Sequence, residues 1–178
     1  MADKPLQGKS VLMIIASDDF RDEEYMQPRS ILEEAGAEIT VASSYTRKST
    51  GMLGKVSVTP DVALEEVDTL RYDAVVFVGG SGADEYWDDA TAHRMATTAY
   101  ENGRVLGAIC IAPITLARAG LLEGRRATVF SSEVENLKKS GAVYTGAAVE
   151  RDGNLITADG PQSAEEFGRV LKEALAED

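Results

Sequence analysis

The sequence predicts one α/β sandwich, a mostly parallel central sheet with helices on both faces. Three features predict it. Short apolar runs of strand length recur without polar interruption, as in strands buried on both sides. Amphipathic stretches alternate with them and end at glycine or asparagine stops. No repeat, linker or low-complexity tract divides the 178 residues, which suit a single domain, 1–178, with a sizeable core.

In order, Val11–Ala16 is the first buried strand, followed by the acidic loop Ser17-Asp-Asp-Phe-Arg-Asp-Glu-Glu24. Glu24–Ala35 reads as a helix stopped by Gly36, and Ile39–Ala42 as the next strand. Ser43–Glu66 is polar and carries Gly51 and Gly54, so a short hairpin is expected there rather than a helix. Ala74–Val78 is a strand that ends at Gly79-Gly80. Ala90–Glu101 is a helix ending near Asn102-Gly103, and Val105–Ile109 is a strand running directly into Cys110. A helix follows to Gly120, with Pro113 in its first turn, where a missing N–H is tolerated. Ser132-Glu-Val-Glu135 and Ser163-Ala-Glu-Glu166 have capping-box spacing and open two later helices. Asp152-Gly153, between Ala147–Arg151 and Asn154–Ala158, signals a hairpin.

Composition removes whole classes of chemistry. With 30 acidic and 18 basic side chains, a net charge of −12 argues against a nucleic-acid partner, whose phosphates it repels. One cysteine excludes an intramolecular disulfide and a cysteine-rich zinc site. One histidine excludes a His-rich metal cluster and leaves little material for a Ser-His-Asp triad. No segment approaches the ~18 apolar residues of a membrane span, and the acidic loop after Val11–Ala16 is unlike a signal-peptide cleavage site. A cytoplasmic protein without membrane contact is expected. The acidity reads as a solvated surface, or as salt adaptation, since only seven lysines are used.

Three stretches are candidates for chemistry. Strand, Cys110 and helix in immediate succession have the layout of a nucleophile elbow, which presents a side chain at the carboxyl edge of the sheet. Backbone N–H groups of the following helix, that of Ile111 among them, would then favour a thiolate. A free cysteine also commonly fills a core. Gly79-Gly80 allows a close backbone approach and a second N–H for an oxyanion, or is a plain turn; Gly80-Ser-Gly82-Ala-Asp-Glu85 lacks a third glycine, which discounts a dinucleotide site. The acidic loop reaches the same edge, and one of its carboxyls, if protonated, would donate to the sulfur; which one is left open. His93 reads as an exposed helix histidine, and Tyr86 and Trp87 either wall a pocket or anchor a loop.

Ala108-Ile-Cys110-Ile-Ala-Pro113, Val78-Gly-Gly80, and Glu24 with Pro28 four residues later together resemble the ThiJ/PfpI superfamily. The resemblance extends through Val149–Thr157 and Gly160-Pro161. It implies a flavodoxin-like three-layer sandwich, dimeric or larger, with Cys110 as elbow nucleophile and Glu24 as its protonated partner. It assigns the Gly80 and Ile111 N–H groups to an oxyanion or sulfinate pocket. Gly79, Phe130 and Asp19 are further pocket candidates in this chain. It implies no cofactor and no metal. Activities of members include conversion of methylglyoxal to lactate, deglycation, isocyanide hydration, peptidase action and peroxide-sensitive protection. Protease-like members carry histidine directly after the cysteine, where this chain has Ile111. Phe130 replaces a pocket histidine or tyrosine, and no histidine follows Cys110. A His-dependent peptidase or amidase is therefore not expected. The expected function is glyoxalase- or deglycase-type conversion of a small reactive carbonyl by Cys110. The alternatives are a redox-responsive protein whose Cys110 is oxidised to sulfinate, and a scaffold without turnover. A thiolate titrating well below ~8.5 is expected for either active-site reading. A non-covalent homodimer is expected, with the helix near Glu24 at its interface.

Overall fold

The apolar runs become the centre of a seven-stranded sheet. The computed structural model describes residues 4–177. Its strands are β1 (Ser10–Ile14), β2 (Glu38–Ser43), β3 (Ser49–Thr50), β4 (Ser57–Val58), β5 (Val62–Ala63), β6 (Ala74–Phe77), β7 (Val105–Ile109), β8 (Arg126–Ala127), β9 (Val143–Tyr144), β10 (Val149–Asp152) and β11 (Leu155–Ala158). The helices are α1 (Asp22–Glu34), α2 (Ala90–Glu101), α3 (Pro113–Arg118), α4 (Val134–Lys139) and α5 (Ala164–Ala176). Strand order is β10-β11-β7-β6-β1-β2-β5, and only the β10–β11 pairing is antiparallel. From β1 the chain builds outward to β2 and β5, then returns to the other side of β1 for β6. That reversal opens a crevice at the carboxyl ends of β1 and β6, the usual ligand position in an open α/β sheet.

Two apolar clusters lie on opposite faces. One joins the sheet to α1 and α5 through Leu32, Phe167 and Leu171. The other joins it to α2 and α3 through Met95, Ala96, Ile114 and Leu116. Close packing depends on two glycines. A Cβ at Gly107 in β7 would sit 3.0 Å from Leu171 Cδ2, and one at Gly168 in α5 would sit 2.9 Å from the Cα of Pro28 in α1.

Local boundaries differ from the sequence expectations for identifiable reasons. Helix α1 starts at Asp22, two residues before Glu24, so Glu24 lies inside its first turn rather than at its start. Pro28 sits inside the helix, where it cannot donate to the Glu24 carbonyl. Neither expected capping box closes. Ser132 falls within a 3-10 turn and its hydroxyl donates to Glu133, while the Ser163 hydroxyl donates to Asp159 at 2.6 Å. Asp152 pairs with Leu155, so the hairpin turn is Gly153-Asn154, with Gly153 at φ 63° as a type II′ turn requires. The expected hairpin within Ser43–Glu66 is β3–β4.

The loop of that hairpin is held by Asp22. Its side chain is buried and accepts backbone N–H groups from Leu53 (2.9 Å), Lys55 (2.9 Å) and Val56 (3.0 Å). A Cβ at Gly51 would lie 2.5 Å from this carboxylate. Burial pushes the Asp22 pKa up, but the three N–H donors outweigh it and hold the group below its ordinary value. A depressed carboxyl contributes stability above its unfolded pKa, and that contribution is lost as pH falls through the folded value. Asp22→Ala is expected to cost about 2–3 kcal/mol at pH 7 by leaving donors unpaired. Urea unfolding at pH 7 and below pH 3 checks this, with the difference from wild type shrinking at low pH.

Candidate active site

Cys110 is the first residue beyond β7, and α3 begins at Pro113. The residue adopts φ 66°, a left-handed conformation that costs a non-glycine about 1–2 kcal/mol. Its backbone is pinned on both sides. The Cys110 N–H donates to Ala158 at the end of β11, and its carbonyl accepts from the Phe130 N–H, each at 2.9 Å. The strand-to-helix turn therefore tips the thiol out of the sheet toward α1, and the residue is 8% exposed.

Gly79 and Gly80 lie beside it, at the end of β6. A Cβ on Gly79 would stand 2.3 Å from Glu24 Oε1 and 2.5 Å from Cys110 Cβ. Only glycine lets the carboxyl and the cysteine meet there. Gly80 has φ 111°, and a Cβ on it would lie 2.3 Å from the Arg21 nitrogen. The Arg21 N–H donates to the Gly79 carbonyl at 2.9 Å, which ties the start of α1 to this turn. Glu24, three residues on, is thereby set over the cysteine.

The Glu24 side chain is fully buried, and neither oxygen closes a well-formed hydrogen bond. Burial pushes its pKa up to about 8, against the opposing pull of the Cys110 thiol and the Arg21 charge. The cysteine departs from the sequence expectation of a low thiol pKa. Burial, and then the facing Glu24 carboxylate, pushes it up to about 12, although the Gly80 and Ile111 N–H groups favour the thiolate. Desolvation wins because α3 has only six residues and begins three residues beyond Cys110. While Glu24 keeps its proton, its repulsion of the thiolate is absent.

The other expected pocket residues separate. Phe130 is 37% exposed and lines a cleft of about 300 Å³ with Tyr144, Asp159 and Gly160, joined to Cys110 through the Phe130 backbone bond. Asp19 is exposed at φ 63° and serves through its backbone, taking the Gly82 N–H at 3.0 Å. His93, expected to be exposed, is instead half-buried because its Nε2 lies 2.7 Å from the Trp87 carbonyl, and the Tyr86 hydroxyl donates to the Ile15 carbonyl at 2.7 Å. Two residues act here in ways the sequence did not assign to them. The Arg21 guanidinium, bonded to Glu23 at 2.6 Å, acts electrostatically on both Glu24 and Cys110, and the Trp87 indole donates to the Ile111 carbonyl at 3.0 Å. Among the described residues, no helix is long and apolar enough to cross a membrane, and no group of three His, Cys, Asp or Glu side chains is placed to hold a metal.

Known proteins share this architecture. A model of the DJ-1/PfpI family matches residues 9–174. A protein of Methanocaldococcus jannaschii is 40% identical over 171 residues, covering 94% of this chain and 83% of its own length. A deglycase of Thermococcus kodakarensis is 33% identical over 150 residues, covering 84% of this chain and 90% of its own. The crystal structure of a ThiJ/PfpI domain protein from Brachyspira murdochii has a TM-score of 0.92 at 30% identity, covering 95% of this chain and 97% of that one. Likeness in sequence and in three dimensions, both along nearly the whole length, establishes that the chain belongs to the DJ-1/PfpI family.

Proposed function

We propose that this protein is a cysteine-dependent stress-protection enzyme of glyoxalase or deglycase type, in which Cys110 adds to a small reactive aldehyde. The observation that carries the reading is the Glu24 carboxyl, buried, without a closed hydrogen bond and set against Cys110. Such a group costs stability, and proton transfer at this point accounts for it. Relatives named deglycases support the same reading.

In this mechanism, sulfur adds to the aldehyde carbon while the thiol proton passes through Glu24 to the developing alkoxide, giving a hemithioacetal. The Gly80 and Ile111 N–H groups, which favour negative charge at Cys110, stabilise the developing alkoxide in this mechanism. With methylglyoxal, Glu24 then takes the proton of the former aldehyde carbon as the ketone oxygen is protonated to give an enediol, and returns it to the former ketone carbon as the first hydroxyl loses its proton, leaving a thioester. Water hydrolyses the thioester, releasing lactate and restoring the thiol. No step needs histidine.

A second reading, a redox sensor, draws on the same features, because two N–H groups and a protonated carboxyl also suit a sulfinate. Exposure works against it. Met26 is 51% and Met52 39% exposed, against 8% for Cys110.

Lactate formation from methylglyoxal is expected in the wild type and lost in Cys110→Ala; equal rates would sink the proposal. The fully protonated pair must release one proton to react, so the rate is expected to rise as pH increases through about 8 and to lose that inflection in Glu24→Gln. The native carboxyl keeps its proton to about 8 and the unfolded one releases it near 4.5, so stability falls as pH rises across that window. Glu24→Gln is expected to flatten that slope in urea unfolding. A peroxide titration followed by peptide mass spectrometry separates the readings: Met26 and Met52 oxidised with Cys110 intact favours the enzyme, and two oxygens added first at Cys110 favours the sensor.

A further inference from the structure

A hydrogen-bonded chain reaches the cysteine turn from the opposite side to Glu24. His93, on α2, has Nε2 2.7 Å from the Trp87 carbonyl. A carbonyl only accepts, so Nε2 carries the proton. The Trp87 indole N–H in turn donates to the Ile111 carbonyl at 3.0 Å, across 24 residues of sequence. Arg118, from α3, stacks on the indole at 5.2 Å and is tied to Asp88 at 2.6 Å. The indole is thus held on its face and at its own backbone, with its N–H aimed at the residue after Cys110.

Ile111 supplies one of the two N–H groups that face the sulfur. The Cys110 carbonyl, bonded to the Phe130 N–H, orients the peptide plane that bears the Ile111 N–H. The next plane carries the Ile111 carbonyl, which accepts from the indole and, at 3.2 Å, from the Ile114 N–H of α3. The Ile111 N–H lies in the first plane, and holding the second plane keeps Ile111 from turning about its Cα and carrying the first with it.

We infer that Trp87 is a positioning residue for the Cys110 site, locking the Ile111 N–H onto the sulfur through the Ile111 carbonyl, with His93 anchoring Trp87. This rests on the reading of Cys110 as the reacting group, but its test requires no turnover. Iodoacetamide alkylation of Cys110 in the full chain, followed by mass spectrometry, is expected to be about fivefold slower in Trp87→Phe, the effect of one hydrogen bond. Slowing is expected in His93→Ala and not in His93→Gln, whose amide keeps a donor for the Trp87 carbonyl. A merely structural role would lower the melting temperature of Trp87→Phe and leave its alkylation rate at the wild-type value, which overturns the inference. A wild-type Cys110 that resists alkylation at all pH values overturns the functional reading and this inference with it. If Trp87→Phe does not fold, wild type decides: Trp87 is the sole tryptophan, and its emission is expected to shift in step with Cys110 alkylation. Unchanged emission on complete alkylation overturns the inference.

Discussion

The approach of the Glu24 carboxyl to Cys110, across a glycine that has no room for a Cβ, is the constraint on which the site depends. Gly79 would meet Glu24 Oε1, Cys110 Cβ and the Ile109 carbonyl within 2.6 Å if it carried any side chain. Three elements far apart in sequence converge there: the end of β6, the turn after β7 and the first turn of α1. The bond from the Arg21 N–H to the Gly79 carbonyl sets the helix against the sheet at this point. Gly168 in α5 lets α5 pack closely against α1 at Pro28 and Ile31.

Asp22 and Glu24, two residues apart in the same helical turn, show how environment sets the character of a buried carboxyl. Asp22 receives three backbone N–H groups from the β3–β4 loop, and its pKa falls despite burial. Glu24 receives no well-formed bond, and its pKa rises to about 8. The first is a structural clamp that stays ionised. The second is pushed the other way and holds its proton up to about 8, set against the Cys110 thiol.

Strain at Cys110 is sustained in the same way. A left-handed cysteine persists because β11 takes its N–H, Phe130 donates to its carbonyl, and Trp87 fixes the peptide that follows. Each brace comes from a different part of the chain. The thiol is presented without being solvated, which explains its raised pKa.

The sequence by itself determined the core strands of the sheet, the major helices and the position of Cys110 at the turn after β7. Val105–Ile109 was legible to the residue because a continuous apolar run has no alternative but burial on both faces. The strand-Cys110-helix order and the doublet Gly79-Gly80 were legible because tight turns restrict which residues they accept. Among the acids at positions 18–24, only the spacing to Pro28, through its family resemblance, singled out Glu24. Composition treats all of them as surface charge. Tertiary structure alone decided that Asp22 and Glu24 are buried, that Asp19 stays in solvent, and that the Ser132 and Ser163 hydroxyls turn away from capping. It also decided the sign of the Cys110 shift. Periodicity reports which face of an element is covered, whereas a pKa or a hydrogen-bond partner depends on atoms brought together from distant segments, and no local pattern encodes their distances.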